Sequence, residues 1–114
     1  MEKSDVIHLN RLKPGSYSAI IRNVDVRDAE YEGHPCQLIR IRLEIDGEVI
    51  HNYIPIEEKF EKKIAYFGYA LGFDGEFTID DLCSVSDVMV TVKLVEHYSI
   101  PGRMVVVQWN RMVV

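Results

Sequence analysis

The cleanest alternation of apolar and polar positions runs from Pro35 to Ile45. Ile39, Ile41, Leu43 and Ile45 fall on one side of an extended segment, and Arg40, Arg42 and Glu44 on the other. Side chains alternate across a strand with a period of two, so this stretch predicts a half-buried β-strand. Asp46-Gly47 follows at once, a dipeptide suited to a two-residue hairpin turn, so the next segment must run back beside it. That segment, Glu48 to Ile54, puts His51 and Tyr53 on one face and Ile50, Asn52 and Ile54 on the other. Upstream, Tyr17 to Arg27 reads as a first strand whose imperfect alternation fits either partial cover of both faces or a bulge. Asp28 to His34 is predicted as a polar loop between these two strands. Val88 to Val95 predicts a fourth strand and Arg103 to Val113 a valine-rich fifth, joined by the connection His97 to Gly102.

One long segment carries the helical period instead. In Glu57 to Leu71, residues Phe60, Ile64, Phe67 and Leu71 stand at i, i+4, i+7 and i+11, a single apolar stripe predicted to be buried. Pro55 precedes it and Gly72 stops it. Ile79 to Cys83 predicts a short helical turn, with Thr78, Asp80 and Asp81 at its cap. Residues 1–13 show no period and read as a lead-in whose Val6, Ile7, Leu9 and Leu12 would cover an open edge. Five strands with a helix between the third and fourth predict one domain over residues 1–114. It would be all-β with one helix, a five-stranded Greek-key barrel with the helix closing one end.

Composition adds little to the fold and more to the function. At 47% hydrophobic and 27% charged residues, the 114-residue chain can fold around a core of its own. A net charge of −5 argues against coating nucleic acid by bulk charge. The charge is uneven, however. Residues 57–87 hold eight acids and three bases, the whole of the −5, so the strands outside them are neutral and free to carry a basic face.

No nucleophile motif, phosphate-binding loop, dinucleotide fingerprint or metal-ligand spacing is present, and His8, His34, His51 and His97 lie in four separate segments. The expectation is a protein without catalysis, metal or cofactor. Cys36 and Cys83 fit no metal or disulfide framework and read as free thiols in a reducing cytoplasm. No apolar run approaches the ~20 residues of a membrane span. Met1 to Lys13 lacks the apolar core of a signal peptide, so the expected location is cytoplasmic, away from membranes.

The polar faces of the strands suggest a binding chemistry. Arg40 and Arg42 project together beside Tyr53, with Arg22 and Lys93 in position to flank them. The first loop adds Tyr31, and the connection between the last two strands adds Tyr98 and Arg103. Guanidinium groups beside aromatic rings suit a groove for single-stranded nucleic acid: the charges neutralise phosphates while the rings stack on unpaired bases. Glu30 and Glu32 work against phosphate binding. The plainer alternative is a solvated sheet face with cross-strand charge pairs, for instance Arg42 with Glu48. Trp109, among valines, fits packing better than a stacking platform.

The order strand–strand–strand–helix–strand–strand is that of the OB fold. The chain also resembles a family of small phage- and prophage-encoded OB-fold proteins similar to single-stranded-DNA-binding proteins. The residues that carry the resemblance are Leu12-Lys13-Pro14-Gly15-Ser16-Tyr17, Gly47-Glu48-Val49 and His51-Asn52-Tyr53. Ala70-Leu71-Gly72 and Asp80-Asp81-Leu82, just ahead of a valine-rich strand, complete it. The resemblance implies single-stranded DNA as partner and a role in phage replication or recombination. A second class of function stays open: an acidic protein-binding module or inhibitor of a host protein, using the helix segment 57–87. The apolar end Met112-Val113-Val114 further suggests a homodimer or a partner contact at an edge strand.

Overall fold

Asp46 and Gly47 both adopt positive φ, 52° and 82°, and close the tight hairpin that their sequence predicts. It joins β2 (His34–Ile45) to β3 (Glu48–Pro55) in antiparallel register, Leu43 opposite Ile50 and Ile41 opposite Asn52. A computed structural model describes residues 12–112 of the chain. The expectations placed on residues 1–11, and on Val113 and Val114 at the end of the fifth strand, lie outside the described residues. The remaining strands are β1 (Gly15–Tyr31), β4 (Val88–Glu96) and β5 (Met104–Arg111). All five form one antiparallel sheet in the order β3-β2-β1-β4-β5.

β1 is the longest strand at 17 residues and serves both halves of the sheet. Its first part pairs with β4, Gly15 opposite Leu94 through Ile21 opposite Val88. Its second part pairs with β2 as far as Tyr31 opposite His34. The register shifts between Ile21 and Asn23, so of the two readings of the imperfect alternation a bulge is present. The predicted loop Asp28 to His34 is corrected here. Asp28 to Tyr31 continue β1, and a two-residue turn of Glu32 and Gly33, both at positive φ, leads straight into β2.

Between β3 and β4 a 3-10 turn (Glu58–Phe60) runs directly into α1 (Glu61–Ala70), and a shorter α2 (Ile79–Cys83) follows. The stripe is half right. Phe67 and Leu71 are buried, whereas Phe60 and Ile64 are only partly covered and pack against the core from its rim. The 3-10 turn at Glu58–Phe60 interrupts the α-helical period, so Phe60 does not lie directly in line with Phe67. α2 begins with a capping box: Thr78 Oγ1 accepts from Asp81 N at 3.1 Å, and Asp81 Oδ2 accepts from Thr78 N at 2.8 Å.

Ile39, Ile41, Leu43 and Ile45 meet Ile21, Val24, Val90, Val92 and Leu94 in the core, with Phe67, Leu71 and Leu82 laid over them. Leu12, the described residue of the lead-in's four apolar positions, is buried in the same core. At Gly68 the helix comes so close to the Phe77 ring that an added Cβ would stand 2.3 Å from it, so no larger residue fits without displacing that ring.

β3 and β5 are the edges of the sheet, and among the described residues no backbone ladder joins them. Asn52 of β3 bridges the gap, its Oδ1 accepting from Val106 N of β5 at 3.1 Å.

Candidate nucleic-acid interface

Across β1, β2 and β3 the register sets polar residues in rows. Asp25, Arg40 and Tyr53 stand side by side, and so do Asn23, Arg42 and His51. Arg40 and Arg42 therefore share the outer face, yet their chemistry differs. Arg40 donates through Nε and Nη2 to both oxygens of Asp25, at 3.1 and 2.8 Å. Arg22, at the bulge, is shared between Asp87 at 2.7 Å and Glu44 at 3.0 Å. Its own pKa is raised by those hydrogen bonds, and Glu44 is held below the usual carboxylate range by the same contact. Arg42 has no ion-pair partner among the described residues and is exposed. Of the three arginines expected on this face, one is free to meet a phosphate without giving up a carboxylate.

The larger feature lies one strand further on. The gap between the edges of β3 and β5 is a groove of about 640 Å³, open to solvent and running under the flank of α1. Tyr53, Phe60, Tyr66 and Trp109 supply aromatic surface to its walls, and Lys63 and Arg103 supply charge. His51, His97, Gln108 and Asn110 add polar groups, and among the described residues no Asp or Glu lines it. In a chain of net charge −5 that exclusion sets this groove apart from the rest of the surface. Neither Lys63 nor Arg103 has a carboxylate partner among the described residues. Trp109 has a double placement: its ring packs on Phe67 with centroids 4.8 Å apart, and it also forms part of the groove wall.

The other candidates are scattered. Tyr31 stands at the tip of the β1–β2 hairpin, where Phe60 meets it edge-on at 5.5 Å and Lys59 Nζ sits 5.0 Å from its ring centre. The tip is tied down further by Lys59 to Glu32 at 2.7 Å and His34 to Glu57 at 2.6 Å. Glu32, one of the two acids expected to repel phosphate, is thus neutralised in place. Tyr98 is 95% exposed and stacks on His97, which lines the groove, so it lies at the groove's rim. Lys93 is exposed on β4, opposite Ser16 and Gln108. The structure thus brings Tyr53 and Arg103 into the groove and leaves Arg22, Tyr31, Arg40, Arg42, Lys93 and Tyr98 outside its lining, with Arg40 and Arg42 paired in register to its lining residues Tyr53 and His51 and Tyr98 stacked on His97.

Lys63 and Tyr66 were missed because they occupy the polar side of an amphipathic helix, where any exposed residue looks alike. Only the docking of α1 beside the β3–β5 gap gives them a role. That docking is fixed from β5, where Arg111 donates to the carbonyls of Tyr69 and Phe73, bonds Asp74 at 3.0 Å, and lies 3.9 Å over the Tyr69 ring.

Among the described residues no three His, Cys, Asp or Glu side chains come together to hold a metal ion. Both cysteines are free, and burial raises both thiols above their ordinary pKa, the opposite of an activated nucleophile. Among the described residues no helix is long and apolar enough to cross a membrane. The acidity of residues 57–87 is partly spent: Asp74 and Asp87 are ion-paired, Glu57 is hydrogen-bonded to His34 and Asp81 caps α2.

His51 is held below the ordinary histidine pKa, first by partial burial and then by Arg40 and Arg42. The folded state therefore binds this proton less readily than the unfolded chain. The stability tied to His51 is complete above the ordinary range near ~6.5 and is lost as pH falls through it. His51→Gln is expected to shrink the fall in melting temperature between about pH 7 and pH 5. Parallel pH profiles for the variant and the wild type would contradict this assignment.

No family model matches the chain, and no curated protein matches it.

Proposed function

We propose that the chain is a non-catalytic protein that binds single-stranded nucleic acid, DNA in the first instance, in the groove between β3 and β5. The observation that carries this reading is the lining of that groove: among the described residues it has four aromatic rings, two cations without an ion-pair partner and no carboxylate, in a chain of net charge −5. Rings stack on any unpaired base, while Lys63, Arg103 and the nearby Arg42 track the phosphates. A duplex hides the faces of its bases and offers nothing for the rings to stack on, so it binds worse. The strand order, with α1 between β3 and β4, supports an OB-type barrel parted along the β3–β5 seam. A place in phage DNA replication or recombination, in the cytoplasm, rests on the family resemblance of the sequence.

The test is titration of a fluorescent oligonucleotide at low salt, repeated as salt rises. For single strands the log–log slope is about −0.7 per phosphate neutralised, so three or four engaged cations give a slope of roughly −2 to −3. Duplex of the same length should bind more weakly. No binding at tens of micromolar protein would overturn the reading and leave the acidic protein-binding module as its successor, with Glu58, Glu61, Glu76 and Asp80 as the surface to test.

A further inference from the structure

Asn52 occupies a position that packing alone would give to a valine or isoleucine. It lies on the inward face of β3 between Ile50 and Ile54, and only 8% of its surface is exposed. Its Oδ1 is committed to Val106 N across the seam. Because a backbone N–H needs an acceptor, that bond fixes the orientation of the carboxamide, and Nδ2 is the end that remains. Among the described residues Nδ2 has no partner. Yet among the described residues no fully buried side-chain nitrogen or oxygen lacks one. Nδ2 must therefore reach the sliver of accessible surface that Asn52 keeps, and Asn52 lines the groove. The bridge to β5 explains the oxygen but not the nitrogen, since an acceptor alone would hold the seam.

From this we infer that Asn52 reads the base: its Nδ2 donates a hydrogen bond to an acceptor atom, such as a carbonyl oxygen, on an unpaired base held in the groove. The inference rests on the single-strand reading proposed above and adds a direction to it. Lys63 and Arg103 attract phosphate whatever the sequence, and Tyr53 and Trp109 offer ring faces to any base. Asn52 is the near-buried donor among them, rigidly aimed because its other end is bonded to backbone. Once a ligand displaces water from the groove, Nδ2 loses its hydration, and a ligand without an acceptor there leaves it unsatisfied. Sites built this way reject the analogue that lacks the matching group more strongly than apolar walls do.

The experiment compares an oligothymidylate with an abasic strand of the same length, on wild-type protein and on two variants. Asn52→Asp keeps the acceptor for Val106 N and replaces the donor with an oxygen. Asn52→Leu removes both without adding charge. The readout is the ratio of the two affinities, which a uniform loss from charge or misfolding leaves unchanged. Both variants are expected to cut that ratio by ~3–10-fold, the range of one net hydrogen bond. An unchanged ratio in both, with wild-type protein still binding thymidylate, overturns the role of Asn52 and leaves the single-strand reading standing. Failure of wild-type protein to bind either strand overturns both. Should the variants not fold, wild-type protein is titrated with a strand whose thymines are replaced by 2,4-difluorotoluene, a shape mimic without carbonyl acceptors. Binding as tight as to thymidylate then refutes the inference, and a loss of the same ~3–10-fold upholds it.

Discussion

Phe67→Ala should remove ~3–5 kcal/mol of stability, the usual cost of deleting a fully buried aromatic side chain. Phe67 is wholly enclosed, faces the strand core from α1, and braces Trp109 of β5 with a tilted ring contact. Its removal opens a cavity that neither element can close, since α1 is pinned by Arg111 at its C-terminal end and by the hairpin tip at its start. Domains of this kind have only ~5–15 kcal/mol in total, so the variant gives up a large share of its margin. At about 4–6 °C per kcal/mol for a domain near this length, the melting temperature should fall by ~12–30 °C. Chemical denaturation followed by circular dichroism measures the loss. A cost under ~1.5 kcal/mol would mean that Phe67 does not hold α1 on the sheet.

Replacing Arg42, Lys63 and Arg103 together by alanine is expected to weaken single-strand binding ~100-fold or more at 50 mM salt, with little change in melting temperature. None of the three is buried or ion-paired among the described residues, so the fold loses no contact that surface pairs would supply. Three lost phosphate contacts flatten the log–log salt slope by about 2. Extrapolated from molar salt to 50 mM, a slope of about −2 is worth about two and a half decades of affinity. Arg22 and Arg40 are left in place because Glu44, Asp87 and Asp25 already hold them, and removing either would strand a carboxylate. A triple variant with the wild-type slope would move the site away from this groove.

The parts of the fold that a period can encode were readable from the chain. Ile39 to Ile45 alternate because one face of β2 is dry and the other wet, and Asp46-Gly47 names its own turn. The extension of β1 through Asp28 to Tyr31 was unreadable, since most of that hairpin arm is exposed and no dry face leaves an apolar signature. Its turn depends on Glu32 at positive φ, which a glutamate rarely adopts. The same division runs through the site. That Arg40 and Arg42 share a face follows from period two. That Asp25 claims Arg40 follows from the register of β1 against β2, which the bulge resets and no local pattern reveals. The groove is a property of two strand edges and one helix flank that are distant in the chain. Tyr53 and Arg103 could be named from types and places, whereas Lys63, Tyr66 and Asn52 acquire meaning only once the edges face each other.

The sharing of β1 between both halves of the sheet has a bearing on when the groove comes into being. β1, β2 and β3 follow one another in sequence and pair by local hairpins, so that half can form while the chain is still leaving the ribosome. β4 must return to the first part of β1 across the whole intervening segment, a long-range closure, and β5 docks only on β4. The second wall of the groove is therefore the last of these five strands to be made. A nascent chain that has laid down every residue through α2 still has Tyr53 and Lys63 but no groove to put them in, so the strand capture proposed above would have to wait for completion of the sheet.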